Sequence, residues 1–307
     1  MRNHLLIGAI LLGSVFSSCA VDTTGTAPAY ARLDSLLPAD TAGRRQDAQV
    51  QNRIFPDAAF YLGGKYIGTY ELGLDNFSAG QGTQAIINQT GSRYVVVYPV
   101  VRADGQAAQR VQYPFYQADS SLLTLTPEGR FNLGTKLLRE VKRMARPYPL
   151  AEDFEQEALT VDSGTGTRVR LQVKRDTLGR RGRFGYCYVA PGTFVRRFAQ
   201  VASKSFVRVP QNTTLPLYLE FDYRSTTPVT VGLYFPFQGQ VQFLADVVFR
   251  ASPDGWRREY VFLSDEAASI PQGTPVKAFI ASTQADTSQP FYMAVDNVRL
   301  LHLGPRL

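Results

Sequence analysis

The sequence predicts an all-β protein, in which a small β-sandwich domain precedes an antiparallel jelly-roll β-sandwich. The main observation is the alternation of apolar with polar or charged residues over residues 217–224, which residues 229–235 and 241–249 repeat. Turn sequences that contain proline or glycine separate these runs. Period-two runs between such turns are typical of antiparallel strands that bury one face.

The apolar run FYMAVDNVRLLHL at residues 291–303 is the second observation, and it lies almost at the end of the sequence. A strand in this place pairs with strands that come earlier in the chain. We expect it to seal the second sandwich, with residues 217–224, 229–235, 241–250, 259–263 and 276–281 as its partners. A long return to a closing strand, together with the number of runs, predicts a jelly roll.

Length and charge bound the class of function. At 307 residues the chain is long enough for one large or two ordinary domains. Its 33 Lys and Arg against 26 Asp and Glu give a net charge of +7, which is spread along the chain. A mild and distributed excess of this kind indicates a solvated exterior and argues against a nucleic-acid partner.

Cysteine and histidine are scarce, which narrows the chemistry. The two cysteines are Cys19 and Cys187, and the two histidines are His4 and His302. Cys19 and His4 lie in the leader region, so one residue of each type is left for the folded chain. This scarcity argues against a disulfide framework, a Cys/His zinc site and a Ser–His–Asp triad.

Residues 1–18 predict a signal peptide, with a short basic start and an apolar stretch too short to span a bilayer. The small residues that precede Cys19 resemble the lipobox of bacterial lipoproteins. The resemblance implies cleavage before Cys19 and acylation of that residue, which would anchor the protein to a membrane. Ala20 resembles the sorting pattern for the outer membrane, and either face of that membrane stays open. The alternative is an ordinary secretory signal with a chance cysteine.

Residues 19–52 predict a flexible tether, because Thr, Ala, Asp, Gly and Pro are frequent there. Residues 53–149 predict a first β domain. It opens with a hairpin, since two β-prone runs flank Gly63 and Gly64, and glycine supplies the positive φ that tight turns need. Residues 136–146 fit a helix or a strand, and in this β-rich neighbourhood we favour a strand that crosses between the domains.

Several motifs carry a resemblance to a known group of proteins: FYLGGKYIGTYEL at residues 60–72, YPFY at 113–116, LAEDFE at 150–155 and VDNVRLL at 295–301. They resemble two-domain lipoproteins of Bacteroidetes. The resemblance implies a first domain similar to PEGA-type surface modules. It also implies a second domain, residues 150–307, similar to non-catalytic carbohydrate-binding modules with the jelly-roll fold. The motifs are structural rather than catalytic.

Modules of the resembling type often hold a structural Ca²⁺ where the first strand meets the last, and the resemblance implies Glu155 and Asp296 as ligands. Calcium takes six to eight oxygen ligands from carboxylates and carbonyls. The apolar phase also changes after Asp296, because Met293 and Val295 are odd while Val298 is even, which predicts a bulge. The alternative is that Asp296 accepts hydrogen bonds from backbone N–H groups and Glu155 is solvated.

Three aromatic residues are the predicted contacts for a glycan. Tyr186 and Tyr188 share one face of a strand, and Trp256 opens another strand. Aromatic rings of this kind can stack on the apolar face of a sugar. The alternative is that all three rings serve the core. Cys187 points to the opposite face and is predicted to be a small buried residue.

The sequence therefore predicts a non-catalytic, lipid-anchored protein of the cell envelope that binds a glycan or a partner protein. One alternative is a glycan hydrolase that uses carboxylates of the jelly roll, such as the acidic cluster at residues 152–157. In a strand, Glu155 and Glu157 would lie side by side, whereas a glycosidase needs two carboxylates that face each other across the sugar bond. The other alternative is a purely structural subunit of an outer-membrane complex.

Overall fold

The computed structural model describes residues 27–39, 55–72, 82–141, 148–163, 169–180, 182–192, 198–286 and 288–303. Almost all of the regular structure in these residues is β-strand. The strands form two successive units, each built from two sheets. The predicted fold class, an all-β chain of two β-sandwiches, is confirmed.

The first unit consists of two sheets that share one core. Its strands are β1 (Ala29–Ala39), β2 (Asp57–Leu62), β3 (Lys65–Glu71), β4 (Thr83–Ile87), β5 (Gly91–Arg102), β6 (Arg110–Gln112), β7 (Asp119–Leu125) and β8 (Arg130–Arg139). β4, β1 and β8 form a three-stranded sheet in that order, in which β1 and β8 run parallel. β3, β2, β5 and β6 form the second sheet, and β7 also pairs with β5. Leu33, Phe60 and Val97 are among the buried residues of the shared core.

The second unit is an antiparallel sandwich. Its elements are β9 (Leu150–Glu152), β10 (Val161–Asp162), β11 (Gln172–Arg175), β12 (Arg183–Val189), β13 (Phe198–Ser203), β14 (Leu217–Ser225), β15 (Val229–Phe237), β16 (Gln240–Phe249), β17 (Arg257–Phe262), the short helix α1 (Ser264–Ser269), β18 (Lys277–Thr283) and β19 (Phe291–His302). One sheet has the strand order β10-β13-β18-β15-β16. The other has the order β11-β12-β19-β14-β17, and β9 also pairs with β19, which makes it six-stranded.

The period-two pattern of β14 explains how the second unit builds its core. Leu217, Leu219, Phe221 and Tyr223 are all buried between the two sheets. The intervening residues lie on the outer face of the six-stranded sheet. Burial of one large apolar side chain stabilises the folded state by about 1.5–3 kcal/mol. The sequence pattern therefore fixes which side of this strand faces the core.

In β16 the predicted phase is wrong for part of the strand. Val247 and Phe249 pack on the core, as the alternation predicts. Val241 and Phe243, which share that phase in the sequence, are exposed on the outer face. The physical reason is a register shift between the pairs Val231–Val247 and Gly232–Ala245, because the extra residue of a bulge reverses the alternation from one side of it to the other.

The predicted hairpin at Gly63 and Gly64 is confirmed, since β2 and β3 pair across these residues and their φ angles are 53° and 82°. The strand assignment is confirmed for residues 136–139, which belong to β8. β8 pairs with β1 inside the first unit and does not cross between the units. Residues 142–147 lie outside the described residues.

The prediction of a flexible tether at residues 19–52 is wrong for β1. This strand lies between β4 and β8, and Ala31, Leu33 and Leu36 are fully buried. Alanine is only weakly apolar, so the alternation over β1 did not stand out in a segment rich in small and polar residues. Cys19 and the other parts of the predicted signal peptide and tether lie outside the described residues.

The closing strand β19 occupies the centre of its sheet, where it pairs with β12, β14 and β9. Of the partners predicted for it, only residues 217–224 pair with it directly. Residues 259–263 lie one strand further along the same sheet, and the other three segments belong to the opposite sheet. Both sheets bury one face, so alternation alone does not assign a strand to either. The bulge predicted beside Asp296 is confirmed by a register shift against β14 and by a φ of 50° at Asn297.

The two units contact each other through the outer face of the six-stranded sheet. Tyr218, Tyr260 and Leu301 of the second unit are buried in the same cluster as the core of the first unit. The backbone N–H of Phe262 donates a hydrogen bond of 3.0 Å to the carboxylate of Asp104, in the first unit. No helix in the described ranges is long and apolar enough to cross a membrane.

Candidate functional site: the tyrosine row

The side chains on the outer face of the six-stranded sheet differ in chemical type from one end of the strands to the other. At one end, Tyr218 and Leu301 pack against the first unit. Charged side chains fill the middle of the face, and we call this part the charged zone. At the other end, aromatic side chains of β12 and β19 lie next to each other. This aromatic end of the face is the candidate site.

The charged zone balances three carboxylates with three arginines: Glu220, Asp222 and Asp296 with Arg180, Arg258 and Arg299. Arg180 joins Asp222 and Asp296, since its Nη2 lies 2.7 Å from the first carboxylate and its Nε lies 2.6 Å from the second. Arg258 joins Asp222 to Glu220, and Arg299 Nη2 lies 2.5 Å from Glu220. All six side chains are largely buried. Each charge therefore depends on its partners, because an unpaired buried charge is costly.

The pKa values of the two aspartates differ because their surroundings differ. Burial would raise the pKa of Asp222, but Arg258 and Arg180 hold it below its ordinary value. Burial raises the pKa of Asp296 to about 7, with a contribution from Asp222 and opposition from Arg180. A glycosidase needs open space for a sugar bond between its two carboxylates. Here the guanidinium group of Arg180 bridges them, so the charged zone has the geometry of an ion-pair network.

The two predicted calcium ligands have separate protein partners. Asp296 pairs with Arg180 and accepts a hydrogen bond of 2.7 Å from the backbone N–H of Asn297. Glu155 accepts a hydrogen bond of 2.8 Å from the backbone N–H of Arg183. Within the described part of the chain, no group of three or more His, Cys, Asp and Glu residues could hold a metal ion. In this geometry the two carboxylates are held by protein partners and do not form a calcium site.

The tyrosine row consists of Tyr188, Tyr186 and Tyr292. Tyr186 and Tyr188 project from the same side of β12, and the antiparallel register places Tyr292 of β19 directly opposite Tyr188. The ring centroids of Tyr186 and Tyr188 are 6.4 Å apart, with an angle of 8° between their planes. Those of Tyr186 and Tyr292 are 5.8 Å apart, with an angle of 23°. The three rings are therefore close and nearly parallel.

The rings of the tyrosine row differ in exposure and are held by polar neighbours. The relative exposure of Tyr188 is 47%, whereas that of Tyr186 is 8%. The amine of Lys174 lies 3.9 Å from the ring centroid of Tyr186, and burial raises the pKa of this tyrosine. The hydroxyl of Tyr292 accepts a hydrogen bond of 3.2 Å from Nε of Arg224. Tyr188 is thus the accessible end of a row whose other rings are fixed in place.

Trp256, the third predicted contact, packs beside the row. Its ring meets that of Phe184 edge to face at 5.3 Å, and the guanidinium of Arg180 lies 4.5 Å from its centroid. Its indole N–H donates a hydrogen bond of 3.0 Å to the carbonyl of Leu178. These contacts give Trp256 a packing role next to the tyrosine row. Of the three predicted rings, Tyr188 is the one with a large exposed surface.

Sequence reasoning missed Tyr292 and the basic residues Lys174 and Arg224. Tyr292 lies opposite Tyr188 only because β12 pairs with β19, and that pairing was not among the predicted ones. Lys174 belongs to β11, the strand on the other side of β12. The β11–β12 hairpin and the closing strand were both recognised in the sequence. The position of Lys174 and Tyr292 beside the row follows only when the pairing register of these strands is known. Cys187 is buried as predicted, and burial raises the pKa of its thiol to about 12.

Comparison with known proteins gives structural likeness alone. No family model and no curated protein matches the chain. A β-sandwich carbohydrate-binding module is similar over 80% of this chain and 84% of its own, with 12% identity and a TM-score of 0.38. A xylan-binding domain of family 22 matches 52% of this chain and 97% of its own, with 13% identity and a TM-score of 0.37.

A third similar structure is the family 11 carbohydrate-binding module of a cellulosomal cellulase from Clostridium thermocellum. It matches 51% of this chain and 94% of its own, with 13% identity and a TM-score of 0.31. All of these TM-scores are low, so the likenesses do not bear on the ligand or on the binding site. The structure neighbours are thus β-sandwich carbohydrate-binding modules, and the tyrosine row is a feature of this chain's own residues.

Proposed function

We propose that this protein binds a glycan without catalysis and that the tyrosine row is the contact surface. The observation that carries the proposal is the group of three nearly parallel rings, of which Tyr188 is 47% exposed. Aromatic rings offer a rigid apolar surface and lose little conformational entropy when they bind. The apolar face of a sugar ring matches such a surface.

Polar side chains beside the row support a sugar over a purely apolar ligand. Lys174 lies over Tyr186, and Arg224 donates to the hydroxyl of Tyr292. Hydrogen bonds from charged donors are stronger than those between neutral groups. Sugar hydroxyls can accept such hydrogen bonds while the ring stacks on Tyr188. The row therefore combines the two kinds of contact that a glycan uses.

The location that we propose is the outer membrane, with the acylated Cys19 as the anchor. The support is the leader of the sequence, in which small residues precede Cys19 after an apolar stretch. Acyl chains contribute about 0.8 kcal/mol per buried CH₂ group, so several chains on one residue give a stable anchor. An anchored binding protein would hold its glycan at the cell envelope.

Binding of a partner protein is the second candidate, and a different surface favours it. Val241, Phe243 and Val248 of β16 are exposed, and the relative exposure of Phe243 is 68%. β16 is also the edge strand of its sheet. Exposed apolar residues on an edge strand favour association with another protein. Substitution of Phe243 by Ser would weaken such a partner's binding without changing glycan binding.

A glycan array tests the first proposal. The chain from residue 20 onwards is labelled and applied to immobilised plant, bacterial and host glycans. We expect binding to a related set of glycans, which is lost in Tyr188→Ala. Binding to none of the glycans, or equal binding by Tyr188→Ala, would contradict the role of the tyrosine row.

A further inference from the structure

A cleft of about 580 Å³ opens at one edge of the second unit, away from the residues of the tyrosine row. Its lining comes from β9 and the segment before it, from the segment before β10, and from the end of β13 and the segment after it. The lining residues are Tyr148, Pro149, Leu150, Ala151, Leu159, Thr160, Ser203, Lys204 and Ser205. Sites for small ligands usually have volumes of about 300–1,000 Å³. The cleft therefore has room for a small molecule.

The lining of the cleft combines apolar side chains with several hydroxyl groups. Leu150 and Leu159 belong to or pack against the core of the second unit. Thr160, Ser203 and Ser205 bring hydroxyl groups, and Lys204 brings an amine. A few polar groups that converge in an apolar cavity are typical of a ligand site. The combination matches a molecule with apolar C–H faces and hydroxyl edges.

One ring of the lining is fixed before any ligand binds. The hydroxyl of Tyr148 donates a hydrogen bond of 2.7 Å to Oε1 of Glu140. The guanidinium group of Arg299 lies 5.8 Å from the centroid of the same ring. A side chain that is held by its neighbours loses little entropy when a ligand stacks on it. The ring of Tyr148 is therefore a rigid surface on which the apolar face of a ligand can stack.

Ser203 supplies a polar group that the fold itself does not use. The residue is 2% exposed, and its Oγ has no hydrogen-bond partner among the described residues. A buried hydroxyl without a partner costs about 1–3 kcal/mol. Serine side chains move between staggered rotamers, so a ligand in the cleft can draw this hydroxyl into a hydrogen bond. Such a bond would recover part of that cost.

We propose that this cleft is a second binding site, which takes a single neutral sugar residue, either free or at the end of a glycan chain. The ligand class rests on the proposed function, whereas the site is separate from the tyrosine row. One face of the sugar stacks on Tyr148, and its hydroxyls bond to Ser203, Ser205 and Lys204. The cleft would then recognise a chain end, while the row contacts the length of a chain.

The test uses saturation-transfer NMR with the chain from residue 20 onwards and neutral monosaccharides: glucose, xylose, mannose, galactose and N-acetylglucosamine. Ser205→Trp fills the mouth of the cleft from an exposed position, so this variant is expected to fold and to lose the signal. Ser203→Ala removes the hydroxyl and is expected to weaken binding about tenfold. Tyr66→Ala, at an exposed tyrosine of the first unit, is the matched control, in which monosaccharide binding is expected to stay unchanged. Tyr188→Ala is measured beside it to separate the cleft from the tyrosine row.

The outcomes separate this inference from the proposed function. Binding of no monosaccharide, or a signal that persists in Ser205→Trp, overturns the cleft as a sugar site. A signal lost in Tyr188→Ala but kept in Ser205→Trp overturns the cleft and places the sugar on the tyrosine row. Monosaccharide binding that depends on Ser205, with unchanged array binding in Tyr188→Ala, supports the cleft and contradicts the role of the row.

Discussion

The hydroxyl of Tyr113, in the first unit, donates a hydrogen bond to the carboxylate of Glu220, in the second unit. The same carboxylate pairs with Arg258 and Arg299, and all of these groups are buried. Burial, together with the charge of Glu220, raises the pKa of Tyr113 well above its ordinary value, so the hydroxyl keeps its proton. This contact joins the aromatic core of the first unit to the charged zone of the second.

Removal of the Tyr113 hydroxyl should weaken the link between the units. In Tyr113→Phe one buried hydrogen bond to a charged acceptor is lost, and we expect the free energy of unfolding to fall by about 1–3 kcal/mol. Tyr66→Phe is the control, because Tyr66 is exposed and its hydroxyl forms a hydrogen bond with that of Thr69 within the first unit. That control should change the free energy by less than about 0.5 kcal/mol. Urea denaturation measures both, and equal values would contradict the account.

The half-buried carboxyl of Asp246 keeps its proton in the folded state, so its contribution to stability should fall as the pH rises. Burial, the charge of Glu266 and the charges of Asp104 and Asp265 raise the pKa of Asp246 to about 8. An unfolded aspartate has a pKa of about 3.9. Between these two values the folded state binds more protons than the unfolded state, so stability is lost as the pH rises through this window.

Asp246→Asn removes this titration, since an amide stays neutral at every pH in the range. The side chain of Asp246 is partly exposed to solvent, so we expect a modest gain of about 2–4 °C in melting temperature at pH 8.5. At pH 5, near the lower end of this window, only a small part of the stability has been lost, so the two proteins should melt within about 1 °C of each other. Calorimetry at both pH values checks this. A gain of the same size at pH 5 would mean that the effect has another origin.

The strand β1 should be required for the first unit to fold. It lies between β4 and β8 and buries Leu33 and Leu36. A chain that begins at residue 53, the predicted domain boundary, would leave β4 and β8 without their shared neighbour. We expect that chain to lose the melting transition of the first unit, whereas a chain that begins at residue 27 keeps it. Indistinguishable melting curves would show that β1 is dispensable.

The residues of the second unit show what alternation in a sequence can predict. The period of two in β14 identified its buried face, because one side of an antiparallel strand packs on the core. It could not predict that Val241 and Phe243 are exposed, since one bulge reverses the phase without any change in composition. Nor could it assign strands to sheets, because both sheets bury one face in the same way.

The part of the candidate site that lies within one strand could be predicted, whereas the part that depends on pairing between distant strands could not. Tyr186 and Tyr188 lie two residues apart, so their shared face follows from strand geometry. Tyr292 joins them only through long-range pairing of β12 with β19. The partners of Asp296 were equally distant: Arg180 comes from a loop far earlier in the chain, and it pairs with the carboxylate that was predicted to bind calcium.

The membrane anchor can be tested independently of the fold. Acylation of Cys19 would hold the protein in the membrane fraction, because several buried acyl chains give a stable anchor. In Cys19→Ala this attachment is removed, and we expect the protein in the soluble fraction. Fractionation followed by immunoblotting, with Ser18→Ala as the neighbouring control, measures the change. Membrane association that survives Cys19→Ala would rule out this anchor.

The central claim is that the tyrosine row binds a glycan, and an affinity measurement on Tyr188→Ala tests it most directly. Titration calorimetry is done with the best glycan from the array on the wild type, on Tyr188→Ala and on Tyr66→Ala. Tyr66 lies outside the row and is somewhat more exposed than Tyr188. We predict an affinity at least about tenfold weaker in Tyr188→Ala, which corresponds to about 1.4 kcal/mol, and no change in Tyr66→Ala. Equal affinities of Tyr188→Ala and the wild type would contradict the claim.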